Sequence, residues 1–318
     1  MHDDIEPTVR TERAASLFED DHVSEPLASG RDFEYGTCDN EFRFVRALPS
    51  GLVYLLERPT AEELPRLYPS HYEPYRFETL PPVVRRARER VQRRKVAVVR
   101  RLVPGRGAIL DVGCGSGALL HLLRAHGQRH WTLHGNEMHE PSLRQLAVDG
   151  FFMHPGPVQA IDGQARFDLI VLNQVIEHFA DVHGVVAACA RLLKPGGHLL
   201  IETPSTSGLD FRLFRGRHWG GYHVPRHFYL FDARTLGRLL ERHGLQTVQA
   251  QYLASPAFWT QSLHHWASES RWRLWRWLAP RLHLRNLPLT AAVTALDLAA
   301  LALGGRTSNL RLVARRPK

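Results

Sequence analysis

Four side chains in this sequence are placed by their surroundings to move a proton near neutral pH. Glu177 and His178 close the segment FDLIVLNQVIEH, and His223 and His227 lie in RHWGGYHVPRHFYLF. Histidine is the side chain whose ordinary pKa lies near working pH, so it can take a proton from a reacting hydroxyl and release it afterwards. A carboxylate beside it can orient the ring or stabilise the charge it acquires. The pair Glu177-His178 could equally be a hydrogen-bonded helix start, and its residue types leave both readings open. His227 stands in a loop after a strand, where chemistry is usually carried, and His223 has the weaker case.

A second group looks built to bind rather than to react. Asp111-Val112-Gly113-Cys114-Gly115-Ser116-Gly117 ends an apolar strand in a glycine turn, and a helix follows. In an open α/β sheet, ligands sit at such a strand end. The turn also satisfies the relaxed GxGxxG/A dinucleotide pattern, and Glu137 closes the next strand where a ribose-binding acid would stand. Asp111 separates the two readings. A carboxylate there repels a pyrophosphate but suits a nucleoside carrying an ammonium and a sulfonium. Cys114 reads as a small packed residue, because no neighbour in sequence would lower its thiol pKa.

These residues need a frame. From about residue 107 apolar strands alternate with helices: AILDV, ALLHLLRAHG, WTLHGNE, PSLRQLAVDG, FDLIVLN, HGVVAACARLLKPGG, HLLIETP, ARTLGRLLERHGL and QTVQAQYLA. Strands joined by helical crossovers make a mainly parallel sheet covered on both faces. The spacing predicts an α/β domain over 81–254, a helical insertion over 255–303, and a last strand within 304–318. Ahead of these, 1–30 reads as a mobile acidic tail. EFRFVRALPSGLVYLL, within 31–80, reads as short strands around a Pro-Ser-Gly turn in a small cap module.

The motifs DVGCGSG, GNEM (Gly135 to Met138), FDLIVLNQVIEH and LLKPGGHLLIETP, in that order, resemble the motif series of class I S-adenosylmethionine-dependent methyltransferases. The resemblance implies a doubly wound, seven-stranded, Rossmann-like sheet whose last strand, Ser308–Arg315, runs antiparallel. It implies S-adenosylmethionine as cofactor. Gly113, Cys114, Gly115 and Gly117 would lie against its methionyl part, with Asp111 beneath them. Glu137 would take the ribose hydroxyls, Met138 would pack on the adenine, and Asn173 would stand near the amino acid end. Val158 and Gln159 fall where an adenine contact is usual, although HPGPVQAIDG departs from the family pattern. Trp219, Pro225, Arg226, His227 and Phe231 resemble a W-x-G-x-x-x-P-R-H-x-x-x-F sub-group that includes quinone and polysaccharide-cluster O-methyltransferases. Paired cysteines often bind zinc in the N-terminal module of that sub-group; this chain keeps Cys38 alone, and no metal site is expected.

Composition narrows the classes further. The net charge is +9 over 318 residues, with acids crowded into the first 35. VVRRARERVQRRKVAVVRR at 83–101 could bind phosphate, but a solvated helix face is the preferred reading. Three scattered cysteines make no disulfide framework. The acidic start lacks an apolar secretory core, so a cytoplasmic protein is expected. Trp259, Trp266, Trp272, Trp275 and Trp277 interleave with arginines. A pocket cover or homodimer face is preferred there over peripheral membrane contact through 259–285, and Asp297 argues against a span.

The expected function is therefore O-methylation of a small hydroxylated metabolite, glycan or lipid-linked acceptor, with His178 or His227 as general base. RNA methylation through the basic run is the alternative, opposed by NQVIEH in place of an Asn/Asp-Pro-Pro-aromatic signature, so nucleic acid is not the expected partner. A nicotinamide-dependent oxidoreductase is opposed by Asp111, and a non-catalytic cofactor-binding protein stays open.

Overall fold

The computed structural model describes residues 8–69 and 93–318. Along the chain come β1 (Thr11–Arg13), β2 (Val23–Gly30), β3 (Phe42–Leu48), β4 (Val53–Leu55), β5 (Glu57–Pro59), α1 (Leu64–Leu67) and a helix α2 over 93–102. The alternating part follows as β6 (Gly107–Val112), α3 (Ala118–His126), β7 (Trp131–Glu137), α4 (Glu140–Val148), β8 (Phe152–Pro155), β9 (Phe167–Asn173), α5 (Val182–Leu192) and β10 (Leu193–Pro204). The remainder is α6 (Leu209–Phe214), β11 (Tyr229–Leu230), α7 (Ala233–Arg242), β12 (Gln246–Leu253), α8 (Pro256–Ser268), α9 (Arg273–Leu278), α10 (Leu287–Ala302) and β13 (Asn309–Arg315).

Seven strands form one sheet in the order β12-β13-β10-β9-β6-β7-β8. The five strands from β10 to β8 are parallel, and β13 runs antiparallel between β10 and β12. This is the expected Rossmann-like methyltransferase sheet with its reversed last strand. Period-2 alternation divides the central strands between two cores. Leu110, Val112, Ile170 and Leu172 face one, and Ile109, Leu169 and Val171 face the other. Burial on both faces is why FDLIVLN reads as a continuous apolar run.

A four-stranded antiparallel sheet, β11-β4-β3-β2, lies against the first core, with β1 and β5 pairing beside it. β3, the turn at 49–51 and β4 are the predicted hairpin. Its fourth strand, β11, comes from far along the chain: Tyr229 pairs with Tyr54 and Leu230 with Val53. No local pattern in the sequence could have announced that pairing.

One expectation needs correction. The stretch 1–30 was expected to be a mobile tail, yet residues 8–30 carry β1 and β2 and bury Val9, Leu17 and Phe18. An average over thirty residues hides three apolar anchors, and the Val9 N–H also donates to Asn40 Oδ1 at 2.7 Å. The first seven residues lie outside the described part, as does 83–92 of the basic run. Within the described part of that run, Arg93 and Arg94 are exposed but Lys95 is buried. Lys95 shares the face of Val98, Val99 and Val103, at the i, i+3, i+4 and i+8 positions that turn inward together.

Candidate active site

The glycine turn between β6 and α3 is shaped by backbone that side chains rarely adopt. Gly113, Gly115 and Gly117 have φ of +65°, +54° and +74°. A Cβ on Gly113 would come within 2.7 Å of Val175 Cγ1, and one on Gly117 within 2.2 Å of Leu146 Cδ2. The turn is anchored to the end of β7, where the N–H groups of Gly113 and Cys114 donate to the Asn136 carbonyl. Glu137 extends this join. Its Oε2 accepts from Gly115 N–H at 2.8 Å, and its Oε1 accepts from the N–H groups of Met138 and His139. Met138 beside it is largely exposed. Cys114 is buried, and burial together with the nearby Asp111 and Glu137 carboxylates pushes its thiol pKa up.

Asp111 is buried under the turn. Desolvation raises its pKa to about 7, Glu137 pushes in the same direction, and Lys95 opposes both. Lys95 reaches the same region from α2. Its ammonium donates to Asn173 Oδ1 at the end of β9 and pairs with Glu202 Oε2 of β10 at 2.7 Å. Glu202 is held from the other side by Arg311 of β13, and the two cations keep its pKa below the ordinary value despite burial. The strand ends thus present a buried acid–base network next to the glycine turn. Lys95 carried no assigned role in the sequence, although its place on the apolar stripe of α2 was legible. Val158 is buried in a short turn, and Gln159 lies outside it with its amide 3.4 Å from Asp181 Oδ2.

The third cluster is the one that could move a proton. Glu177, His178 and His227 each offer one ligating atom, and these atoms lie within 4.8 Å of one another. His227 Nδ1 is 2.8 Å from the Gly221 carbonyl and His178 Nδ1 is 3.0 Å from the Arg226 carbonyl. A carbonyl can only accept, so Nδ1 is the protonated nitrogen in each neutral ring and Nε2 carries the lone pair. Tyr68 hydroxyl lies 3.2 Å from the same His178 Nδ1. His227 Nε2 faces Glu177 Oε1 at 3.9 Å, beyond hydrogen-bond reach. Glu177 is fully buried; its Oε2 accepts from the Thr203 hydroxyl at 2.9 Å, and its Oε1 has no hydrogen-bond partner among the described residues. Burial holds the His178 pKa down to about 3 and that of His227 well below ordinary, while raising that of Glu177 to about 8. Both imidazoles are therefore neutral at working pH, and a largely uncharged buried carboxyl with an unpartnered oxygen sits beside them. That combination favours a donor arriving from outside, either a hydroxyl or a cation.

His223 belongs to the same aromatic group but is committed elsewhere. Its ring centroid is 4.9 Å from that of His227, yet its Nδ1 bonds Glu34 Oε1 of the cap at 2.8 Å. Arg226 next to it is also a cap contact. Its guanidinium donates to both oxygens of Asp32, to the Leu67 and Val224 carbonyls and to the Thr37 hydroxyl. The arginine of the Pro-Arg-His motif therefore positions the loop, and Asp32 is the partner that the sequence did not identify. Cys38 is buried in the same module with a free thiol.

The family described as Methyltransferase domain matches residues 84–250. A ubiquinone biosynthesis O-methyltransferase of Thiobacillus denitrificans is 34% identical over 113 residues, 33% of this chain and 47% of that one. A biotin biosynthesis bifunctional protein of Bordetella avium is 35% identical over 113 residues, 32% of this chain and 22% of that one. The chain thus spans about half the length, or less, of these curated relatives. Among solved structures, the Burkholderia thailandensis 1,6-didemethyltoxoflavin-N1-methyltransferase is similar in fold, with a TM-score of 0.51 and 18% identity, covering 85% of this chain and 98% of that one.

Proposed function

Because this chain belongs to the methyltransferase-domain family, we propose that it transfers a methyl group from S-adenosylmethionine to a hydroxyl oxygen of a small acceptor. The residues present fit that cofactor. The positive-φ glycines leave three positions of the turn free of Cβ atoms, and Glu137 offers a carboxylate at its rim. Buried Asp111 beneath the turn favours a cationic ligand over a pyrophosphate. Gly113, Gly115, Glu137 and Asn173 would hold it, with Lys95 as a further contact. When bound, S-adenosylmethionine supplies a methyl carbon already activated by its sulfonium.

The protein's own task is then to place the acceptor oxygen and receive its proton. His227 is the proposed general base. Its Nδ1–H is fixed on the Gly221 carbonyl, so the Nε2 lone pair is aimed in one direction. Burial holds its pKa well below the ordinary value, so the ring is unprotonated before the acceptor arrives. Glu177, held largely uncharged by burial, keeps its Oε1 for a hydrogen bond with the acceptor. His178, fixed on the Arg226 carbonyl, lines the same space and orients the acceptor. The observation that carries this reading is an imidazole lone pair standing 3.9 Å from a carboxyl oxygen that has no hydrogen-bond partner among the described residues. An acceptor oxygen, as distinct from nitrogen or carbon, is supported by the O-methyltransferase relatives.

The test uses purified full chain and labelled S-adenosylmethionine against a panel of phenols, quinols and glycans. Methyl transfer to an oxygen that disappears in His178→Ala/His227→Ala supports the proposal. Turnover near wild type in that double variant overturns it. Calorimetric uptake of NADH with no uptake of S-adenosylmethionine would overturn the cofactor assignment as well.

A further inference from the structure

α8, α9 and α10 lie between β12 and β13. α8 packs against the loop around Gly220–Tyr222, and both α9 and α10 rest on α8. α10 is unusual for a helix on the outside of a fold. It runs LPLTAAVTALDLAALA, and only Val293 and Asp297 are buried. Asp297 faces inward, where it accepts from the Trp259 indole at 2.8 Å and from Ser255. The acid that argued against membrane insertion is thus spent inside the protein, and the outward surface of α10 is leucine, alanine and threonine. Leu287, Leu296, Leu298 and Leu303 are all exposed, the last by 88%.

The neighbouring segment repeats the theme with tryptophan and arginine. Trp272 and Trp277 are each 61% exposed. Arg271, Arg273, Arg276, Arg281 and Arg285 are exposed as well, and from Arg271 to Leu296 there is no acidic residue. Arg281 lies over the Trp277 ring at 4.2 Å and Arg271 over Trp272 at 5.3 Å. Among the described residues no element covers these side chains.

We propose that the face formed by α9 and α10 docks onto an anionic bilayer surface. The apolar side chains would enter the headgroup boundary, the indoles would sit at that boundary, and the arginines would meet the lipid phosphates. Charge decides the occupant. A second copy packed about a two-fold axis would set this arginine cluster against itself, with no acid in the segment to receive it. A nucleic acid could engage Trp and Arg but has no use for a sixteen-residue apolar helix. None of the described helices is long and apolar enough to cross a membrane, so the contact is with a surface. The inference is independent of the methyl-transfer reading, because the docking residues belong to neither the cofactor site nor the histidine cluster.

Flotation of the full chain with phosphatidylcholine vesicles, with and without phosphatidylglycerol, tests it. Partitioning should rise at least about ten-fold with the anionic lipid, in keeping with the attraction of each surface arginine to such a leaflet. Arg273→Glu/Arg276→Glu should abolish the gain, and Trp272→Ser/Trp277→Ser should weaken binding even to anionic vesicles. Both variants change exposed side chains, so their melting temperatures should match wild type. Absence of flotation overturns the proposal, as does equal flotation with neutral lipid. A concentration-dependent dimer lost in the same variants overturns it in favour of a second copy. RNA retention lost in the arginine variant, without vesicle binding, overturns it in favour of nucleic acid.

Discussion

Arg226 and Asp32, separated by 194 positions in the chain, form a two-point ion pair in which neither side chain is exposed. The arginine belongs to the loop that carries His223 and His227, and the aspartate to the cap. The guanidinium also lies 4.6 Å from the centre of the Tyr35 ring. His223 with Glu34, and β11 with β4, add two further ties between the same partners. The cap is therefore part of the frame that aims the His227 ring.

Cutting that tie should cost stability first. Asp32→Asn leaves a buried guanidinium with its carbonyl partners but no counter-charge, a loss of about 3–5 kcal/mol. Urea unfolding at pH 7 measures it, and a change under 1 kcal/mol contradicts the buried pair. The arginine holds the Asp32 pKa near about 2, so the contribution is fully present above the ordinary carboxylate range. It should fade as pH falls from about 4 towards about 2, and the variant's acid limb should be flatter there.

Glu177 gives the opposite sign. Its folded pKa is raised to about 8, so its contribution to stability is complete below the ordinary value of 4.5 and declines as pH rises towards 8. His178, held down to about 3, loses its contribution as pH falls below about 6.5. Glu177→Gln should remove the alkaline decline and leave the acidic one. Melting temperature followed from pH 5 to pH 9 reads this directly, and an unchanged alkaline limb refutes the buried, uncharged carboxyl.

Replacement of the proposed base should separate chemistry from binding. His227→Gln is expected to lower kcat by about 10²–10⁴ while the dissociation constant for S-adenosylmethionine stays within a few-fold. His178→Gln should act more on KM for the acceptor, since its proposed task is orientation. If His227→Gln weakened cofactor binding and kcat to the same extent, the ring would be part of the nucleoside site instead. A parallel assay with chelator tests the other donor that three converging ligand atoms could admit: activity abolished by chelation and restored by a divalent ion would place a cation there in place of a bare hydroxyl proton.

The glycine turn makes a steric prediction. Gly113→Ala introduces a Cβ 2.7 Å from Val175 Cγ1 on backbone at φ +65°, and should weaken calorimetric binding of S-adenosylmethionine ten-fold or more. Val175→Ala in the same chain relieves the contact but not the φ strain. Partial recovery in the double variant is therefore expected, and full recovery would show that only the contact mattered.

Local pattern was enough for the frame of this protein. Alternation of apolar runs with helical segments predicted the parallel sheet, because a strand buried on both faces leaves a continuous run such as Leu169–Leu172. The glycines at 113, 115 and 117 were legible because no other residue accepts their backbone without strain. Glu137 was legible as the acid that closes the strand after that turn, and its bond to Gly115 N–H belongs to the tertiary structure. The sequence also drew attention to Glu177, His178 and His227, but as separate suspects in two loops. Their convergence, the direction of each lone pair and the orphaned Glu177 oxygen belong to the tertiary structure, because β11 crosses to the cap sheet and brings the second loop with it. The same holds for Asp32, for Lys95 buried beneath the turn, and for Asp297 turned inward from α10. A charged residue's partner is a neighbour in space, often a hundred residues away, and spacing along the chain carries no record of it.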